Sequence, residues 1–339
     1  MKTRKFLILL SLLTLMVVTA VSLSACSTDK DSKKETESQS PAPVDAPAQP
    51  NDPVTVKIGY LPITHALPLF VEDEIKALKS ENVNLELVKF GSWTELVDAL
   101  NTGNIDGASM LIELAMKAKT QGIDLKAVAL GHRDGNAVVV SKEINKVEDL
   151  KGKTFAIPHS LSTHNVLLHL MLKNNGITYD DIEVIELPPP EMPAALSEGR
   201  IAGYIVAEPF GAKVVAGGVG KTLYESGDLW DNAVCCGLIL RNEFIEKYPD
   251  AAAAFVSDYI KAGEMAEAKD ATIGEITSKY LKVDPEVLEL SLKWISYDNL
   301  RLEEADYNQL ASYMIEMGLI ENPPAYSDFV DTSLVDSIK

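Results

Sequence analysis

Residues 196–209 read LSEGRIAGYIVAEP, and this stretch sets the pattern that predicts the fold. A helical segment over 191–198 is closed by Gly199, a strand-like apolar run over 201–206 follows at once, and Pro209 opens the next helix. The same rhythm of strand, loop and helix recurs along most of the chain. Strands that alternate with helices indicate parallel sheets with helical crossovers, so the predicted fold class is α/β.

The predicted strands fall into two successive groups. They are 54–58, 83–90, 105–110, 126–130 and 137–141, then 154–157, 183–187, 201–206 and 234–240. Because the two groups repeat one rhythm, we expect two α/β lobes and not a single sheet. The fifth run would carry the chain into the second lobe, the ninth would bring it back, and mostly helix would follow. Ligands of open α/β sheets bind beyond the carboxyl ends of the strands, so two facing lobes predict a cleft that closes by hinge motion.

The N-terminus has the form of a secretory signal. Three basic residues over 2–5 precede an apolar run over 6–20, and Leu-Ser-Ala-Cys ends at Cys26. This ending resembles a bacterial lipobox, in which the cysteine thiol takes a diacylglycerol and becomes residue one. The apolar run is shorter than the ~20 residues that span a membrane, which disfavours the alternative of a transmembrane anchor. We therefore expect a lipid anchor at Cys26, on the extracytoplasmic face of the cell membrane.

Composition divides the chain further. The predicted division is a signal peptide over 1–25, a disordered polar and proline-rich tether over 26–53, a first lobe with C-terminal helices over 54–138 and 238–339, and a second lobe over 139–237.

Charge and cysteine content exclude several classes of protein. The formal net charge is −19, and loss of the three basic residues of the signal makes it −22. Such an acidic balance excludes nucleic acid as the expected partner, because phosphate binding needs clustered Lys and Arg. After Cys26, only the adjacent Cys235 and Cys236 remain, so no disulfide framework is predicted.

Four stretches resemble the solute-binding proteins of the nitrate, taurine and alkanesulfonate importers. They are KIGYLP at 57–62, LNTGNIDG at 100–107, VEDLKGKT at 147–154 and the 196–209 stretch quoted above. Their order and spacing behind a lipobox are more specific than any single motif, and the likeness covers about 54–249. It also reaches the thiamine-precursor-binding branch. The resemblance implies the two-lobed type II periplasmic-binding-protein fold, with a membrane permease and a cytoplasmic ATPase as partners.

Loops after the strands supply the candidate ligand contacts. Free N–H groups at a helix start favour an anion, and the resemblance places the ligand's charged head at the turn 158–164. An acid such as Glu208 would suit an amine or a ring N–H instead. The candidates are Thr64, His65, Ser92, Trp93, Met110, His132, His159, Ser160, Ser162, Thr163, Glu208, Cys235 and Cys236. Each also has a plain structural interpretation, as a cap, a surface turn or buried packing.

The cysteine pair departs from the thiamine-precursor branch, which carries a longer cysteine-rich run near this point. Two small apolar residues on a returning strand are the simpler interpretation, and contact with a soft ligand is the alternative. Because successive strand residues point to opposite faces, we expect only one of Cys235 and Cys236 to face the cleft.

Two motifs are rejected on spacing. Gly220-Lys221-Thr222 ends like a Walker A motif, but Val215 stands where its first Gly belongs. The histidines at 159, 164 and 169 recur every five residues, which places them on different faces of a helix, and the i, i+4 zinc pattern is absent. The sequence therefore predicts no metal ligands, no cofactor and no catalytic constellation.

The predicted function is the extracytoplasmic solute-binding subunit of an ABC importer. We expect a monomer that captures a small anion, such as a sulfonate or nitrate, and that is not an enzyme. Three alternatives stay open: a binder of a thiamine precursor or similar heterocycle, an exported enzyme on the same fold, and a sensory lipoprotein without a transporter. Metal capture is a further, minor alternative.

Overall fold

The computed structural model describes residues 52–336. The predicted signal peptide, the lipidation site Cys26 and the tether up to residue 51 lie outside the described residues. Within the described range, no helix is both long enough and apolar enough to cross a membrane.

Twelve strands are present among the described residues. In chain order they are β1 Val54–Tyr60, β2 Val83–Lys89, β3 Gly107–Leu111, β4 Leu125–Leu130, β5 Arg133–Asp134, β6 Asn136–Ser141, β7 Thr154–Ile157, β8 Glu183–Glu186, β9 Gly203–Ala207, β10 Gly220–Glu225, β11 Cys236–Arg241 and β12 Ile295–Ser296.

The α-helices fill the crossovers and the C-terminal third. They are α1 Leu67–Glu74, α2 Trp93–Asn101, α3 Ile112–Thr120, α4 Thr163–Asn174, α5 Met192–Ser197, α6 Phe210–Ala216, α7 Ser226–Leu229, α8 Asn242–Lys247, α9 Pro249–Glu267, α10 Ala271–Leu281, α11 Pro285–Lys293, α12 Glu304–Glu316, α13 Tyr326–Phe329 and α14 Ser333–Asp336. Short 3-10 turns lie at Thr64–Ala66, Lys76–Leu78, Val147–Leu150, Tyr179–Asp181 and Pro189–Glu191.

The strands form two five-stranded sheets, as the sequence predicts. The first has the order β2-β1-β3-β11-β4 and the second β10-β6-β9-β7-β8, while β5 and β12 form a separate pair. This α/β architecture is the two-lobed periplasmic-binding-protein fold that the sequence indicates.

Neither sheet is fully parallel, which differs from the expectation. In the first sheet β11 runs antiparallel to β3 and β4, and in the second β6 runs antiparallel to β9 and β10. Both are the strands that follow a crossing between sheets. A strand that enters from the other sheet arrives without a helical crossover, so nothing forces it to run parallel to its neighbours.

Two local features depart from the predicted boundaries. The segment Gly220–Glu225 is an edge strand paired with β6, so Lys221 and Thr222 lie on a strand and not in a phosphate-binding loop. The sequence pattern over 67–79 predicts one helix, but the helix ends at Glu74 and a 3-10 turn follows at Lys76–Leu78. Ser92 followed three residues later by Glu95 has the spacing of a capping box and predicts a helix start. This start is present, since the Ser92 side chain accepts a hydrogen bond from the Glu95 N–H at 3.3 Å.

Candidate functional site

Four buried side chains of the types that can bind a metal lie together where β1 and β4 end and β11 begins. His65 lies in the 3-10 turn after β1, His132 follows β4, and Cys235 and Cys236 stand at the start of β11. All four are fully buried. One donor atom from each lies within 4.8 Å of the others. We call these four residues the His–Cys cluster.

The His65 ring is oriented by the backbone. Its Nε2 lies 3.0 Å from the Gly135 carbonyl oxygen, which can only accept, so Nε2 carries the ring proton. The unprotonated Nδ1 then faces the two thiols, 3.5 Å from the Cys236 Sγ and 3.9 Å from the Cys235 Sγ. A carbonyl that fixes the tautomer in this way is the usual outer contact of a metal-binding histidine.

His132 packs directly against His65. Their ring centroids are 3.6 Å apart with the planes inclined by 32°. The Cys236 N–H donates to the His132 Nε2 at 3.4 Å, and the Nδ1 has no partner among the described residues. Burial lowers the pKa of His132 to about 4, so the ring is neutral at pH 7, which is the form that coordinates metals.

The two thiols differ in acidity. Burial would raise the pKa of Cys235, but hydrogen bonding from the Cys236 thiol lowers that pKa well below its usual value. Burial and the neighbouring Cys235 both raise the pKa of Cys236. The Cys235 and Cys236 Sγ atoms are 3.9 Å apart. Cys235 is therefore the more acidic thiol of the pair, and the thiolate is the form in which a cysteine binds a metal.

A carboxylic acid and a third histidine border the cluster. Burial raises the pKa of Glu113 to about 8, and one of its oxygens has no partner in the part of the chain that the structure describes. The His164 ring lies 6.5 Å from that of His65, and both of its nitrogens likewise lack a partner within residues 52–336. These groups leave hydrogen-bonding capacity that a ligand or ordered water would use.

The described part of the site contains no free cationic side chain. Arg133 is the one Lys or Arg that is buried within residues 52–336. Its guanidinium is committed to Asp306 at 2.8 Å and to backbone carbonyls of residues 232, 299 and 301. The buried carboxyl groups and the thiols therefore make the site suited to a cation more than to an anion.

Comparison with known proteins places the chain in a family. The model of the NMT1-like family matches residues 49–279, more than half of the chain. The chain belongs to the NMT1-like family.

Several proteins resemble this NMT1-like member. A crystal structure described as the ligand-binding component of an ABC-type import system from Staphylococcus aureus with zinc bound is 43% identical, with a TM-score of 0.80, and the match covers 84% of this chain and 99% of that one. The nitrate import ATP-binding protein NrtC of Synechocystis is 29% identical over 63% of this chain and 35% of its own length. The taurine-binding periplasmic protein of Escherichia coli is 31% identical over 54% of this chain and 58% of its own. This chain thus spans about a third of the first curated relatives it matches.

Hydrogen bonds between Thr64 and Glu208 join the two halves of this NMT1-like protein beside the cluster. The Thr64 N–H donates to the Glu208 carbonyl oxygen at 2.9 Å, and the Thr64 hydroxyl donates to the same oxygen at 3.2 Å. The Glu208 carboxyl accepts from the Ala212 N–H at 2.8 Å and from the Ser291 hydroxyl at 3.3 Å, while its Oε1 has no partner among the residues described. Burial raises the pKa of Glu208 to about 8.

The other predicted contacts fall into two groups: residues buried in the core, and polar residues with hydrogen-bond partners nearby in the chain. Trp93 and Met110 are buried, and the Trp93 Nε1 lacks a partner within the described range. Ser92 and Ser162 cap α2 and α4. The His159 Nδ1 accepts from the Leu161 N–H at 2.9 Å. The structure gives these three polar side chains local partners and does not bring them into the His–Cys cluster.

Ser160 and Thr163 also differ in their surroundings. Ser160 is exposed, and its N–H donates to Glu186 at 2.5 Å. Thr163 is buried, and its hydroxyl reaches Glu113 and Val234.

Sequence reasoning missed Glu113, although this residue interrupts the apolar run Ile112–Met116 directly after a buried strand, which is a readable signal of a functional acid. His164 lies in the turn 158–164 that the resemblance singles out, but it is not among the predicted contacts. Strand alternation predicts that only one thiol faces the cleft, whereas both thiols lie near the His65 ring. Cys235 precedes the first residue of β11 and is not bound by the alternation of that strand.

Proposed function

We propose that this chain is the solute-binding subunit of an ABC importer, and that its site takes a borderline divalent metal ion of the Zn²⁺ class. One observation carries the proposal: His65, His132, Cys235 and Cys236 bring two nitrogen and two sulfur donors within 4.8 Å, all fully buried. Two thiolates and two imidazoles are a donor set that Zn²⁺ favours in tetrahedral sites. The tautomer of His65 fits, because its carbonyl-bonded Nε2 leaves the Nδ1 free to coordinate.

The comparisons support both parts of the proposal. The Staphylococcus aureus structure, 43% identical over 84% of this chain, is described as part of an ABC-type import system and as zinc-bound. A permease and its ATPase are then the partners of this chain. The protein is a binder and not an enzyme, and it works as a monomer at the extracytoplasmic face, held to the membrane through lipid on Cys26.

The two sheets support a capture mechanism. We assign the first lobe to 54–138 with 238–339 and the second to 139–237. His65 and His132 belong to the first lobe, whereas Cys235 and Cys236 lie at the end of the second lobe, where the chain enters β11 of the first sheet. Thr163 and His164 of the second lobe lie beside these segments. Hinge opening between the lobes would expose the four donors, and closure would bury the bound ion.

A small anion is the second candidate, because the relatives include proteins named for nitrate import and for taurine binding. Anion capture in this pocket would depend on hydroxyl and N–H donors, since the one buried cation of the described residues, Arg133, is fully committed.

Competitive titration of the full chain with Zn²⁺ against a chelator tests the proposal. We expect one ion per chain, and we expect Cys235→Ser and His132→Gln each to weaken binding by at least about tenfold, as loss of a metal contact does. The matched control is His169→Gln, because His169 lies at the surface beside Glu316, outside the cluster. Co²⁺ in place of Zn²⁺ should give a thiolate charge-transfer band that Cys235→Ser reduces.

Two outcomes would contradict metal capture. The first is the lack of one-to-one Zn²⁺ binding, and the second is binding that survives both substitutions. Thermal stabilisation of metal-free protein by nitrate, taurine or an alkanesulfonate would favour the second candidate instead.

A further inference from the structure

We infer that the protein has a second ligand site, which takes a small organic anion with a flat apolar body. The site is a cavity of about 490 Å³ lined by Lys89, Phe90, Phe210, Lys213, Tyr280 and Lys282, with prolines filling much of the remaining wall. We call it the rim pocket. Its volume falls in the range of small-molecule sites, about 300–1,000 Å³. This inference goes beyond metal capture and does not depend on it.

The rim pocket draws its walls from three parts of the fold. Lys89 ends β2 of the first sheet, and Phe90 follows it. Phe210 and Lys213 belong to α6, which packs beside the second sheet, and Lys282 caps the C-terminal end of α10. An occupant therefore contacts segments of both sheets and the C-terminal helices at once, so its binding should stabilise the arrangement of these parts described here.

The charge of the rim pocket is opposite to that of the whole protein. The chain carries a net charge of −19, yet the described lining of the pocket holds three lysines and no acidic residue. None of these three lysines forms an ion pair with any residue that the structure describes, although several other lysines, such as Lys119 and Lys279, do have acidic partners and others do not. Three uncompensated ammonium groups around one cavity favour an anion.

The remaining wall is apolar and stiff. The rings of Phe90 and Phe210 are half-buried. The Tyr280 ring stacks on Phe70 with centroids 4.2 Å apart and an interplanar angle of 5°, and its hydroxyl donates to Asp73 at 2.6 Å. A ring held on one face and at its hydroxyl offers a fixed surface, on which a flat apolar body packs at low entropic cost.

The two sites differ in the chemistry that they recognise. Among the described residues, the His–Cys cluster offers soft sulfur and nitrogen donors without a free cation, whereas the rim pocket offers ammonium groups and rings without a soft donor. The occupant of the rim pocket is accordingly an aromatic or cyclic carboxylate or sulfonate, and not a bare metal ion or a bare inorganic anion.

Calorimetric titration of the full chain with naphthalene-2-sulfonate tests the inference. Two partial probes accompany it: naphthalene-2-methanol keeps the ring without the charge, and methanesulfonate keeps the charge without the ring. We expect one-to-one binding of the complete probe, at least about tenfold tighter than either partial probe, because the ring and the charge each contribute. Added NaCl should weaken the binding by screening.

Lysine variants locate the probe. Lys89→Gln and Lys213→Gln should each weaken binding about two- to fivefold, as loss of an exposed charge contact does. The control is Lys293→Gln, an exposed lysine of α11 outside the rim pocket, which should leave binding unchanged. Each change lies at an exposed side chain, and a thermal unfolding curve verifies that the variants fold.

Three results would overturn the inference. The first is binding of the alcohol as tight as that of the sulfonate, and the second is binding by both lysine variants that equals that of the parent protein. The third is loss of probe binding in Cys235→Ser while the lysine variants keep it, which would place the probe in the buried site. Zn²⁺ titration of the same samples separates this third result from the fate of the metal proposal.

Discussion

The Thr163 hydroxyl oxygen lies 2.6 Å from the Oε1 of Glu113, a residue 50 positions earlier that belongs to the other half of the fold. The same hydroxyl lies 2.9 Å from the Val234 carbonyl oxygen. One hydroxyl proton satisfies only one of these acceptors. Burial raises the pKa of Glu113 to about 8, so the neutral acid donates to the Thr163 oxygen at pH 7 while Thr163 donates to Val234. A single threonine thereby joins α4 to both α3 and the start of β11.

Thr163→Val should lower the free energy of unfolding by about 1–3 kcal/mol, the cost of leaving buried polar groups without partners. Valine matches threonine in shape, so the loss would come from the hydroxyl and not from a cavity. Urea unfolding of the metal-free protein measures the change.

Thr163→Ser, which keeps the hydroxyl, should lose less stability than Thr163→Val. Thr154→Val removes an exposed hydrogen bond to Glu183 and should cost less than about 0.5 kcal/mol. Equal stability of Thr163→Val and the parent protein would show that the contact does not hold the halves together.

Glu208→Gln should stabilise the protein at pH 8 and leave it unchanged near pH 4.5. The folded pKa of about 8 stands above the ordinary value of 4.5. Between these values the unfolded chain releases the proton while the folded protein keeps it, so stability falls as pH rises through this window. The slope from one such group is at most about 1.4 kcal/mol per pH unit. Glutamine keeps the accepting oxygen for Ala212 and does not ionise.

Thermal unfolding of Glu208→Gln across pH 4.5–8 measures this effect, beside the exposed control Glu191→Gln. The parent and the control should lose stability alike as pH rises, and the Glu208 variant should lose less. Parallel pH profiles of all three proteins would mean that Glu208 is ionised in the folded state.

Gly107→Ala should destabilise the first sheet by about 1–3 kcal/mol, the usual cost of overpacking. A Cβ at this position would stand 2.5 Å from the Ile239 carbonyl oxygen and 2.5 Å from the Leu240 Cδ2. That carbonyl is backbone of β11, which pairs with β3, so it cannot withdraw without disturbing the ladder. Denaturant unfolding measures the loss.

Gly274→Ala is the matched control for Gly107→Ala. Gly274 lies inside α10, and a Cβ added there would meet no described atom within 4 Å, so alanine should stabilise by up to about 1 kcal/mol through helix propensity. If both alanines changed stability in the same direction, close packing of β3 on β11 would not be the cause.

The sequence by itself determined the fold class and the two-sheet organisation, and it gave the four candidate donors one by one. Strand and helix periodicity arise from residues a few positions apart, so β1 and β7 and the helix start at Ser92 are readable along the chain. The strand β10 is not readable in this way, because GKTLYE lacks a clear alternation and its edge position rests on pairing with β6. His65, His132, Cys235 and Cys236 are each predicted as ligand contacts from the sequence.

Only the tertiary structure decided that these four residues form one donor set. His65 and Cys236 stand 171 positions apart, and their approach to 3.5 Å depends on β11 returning from the second sheet to pair with β3 and β4. The same packing buries Glu113 and removes it from water, which raises its pKa. Short-range sequence patterns determine whether each segment forms a helix or a strand. Burial and long-range strand pairing determine which side chains share one low-dielectric site, and the spacing of residues along the chain does not record them.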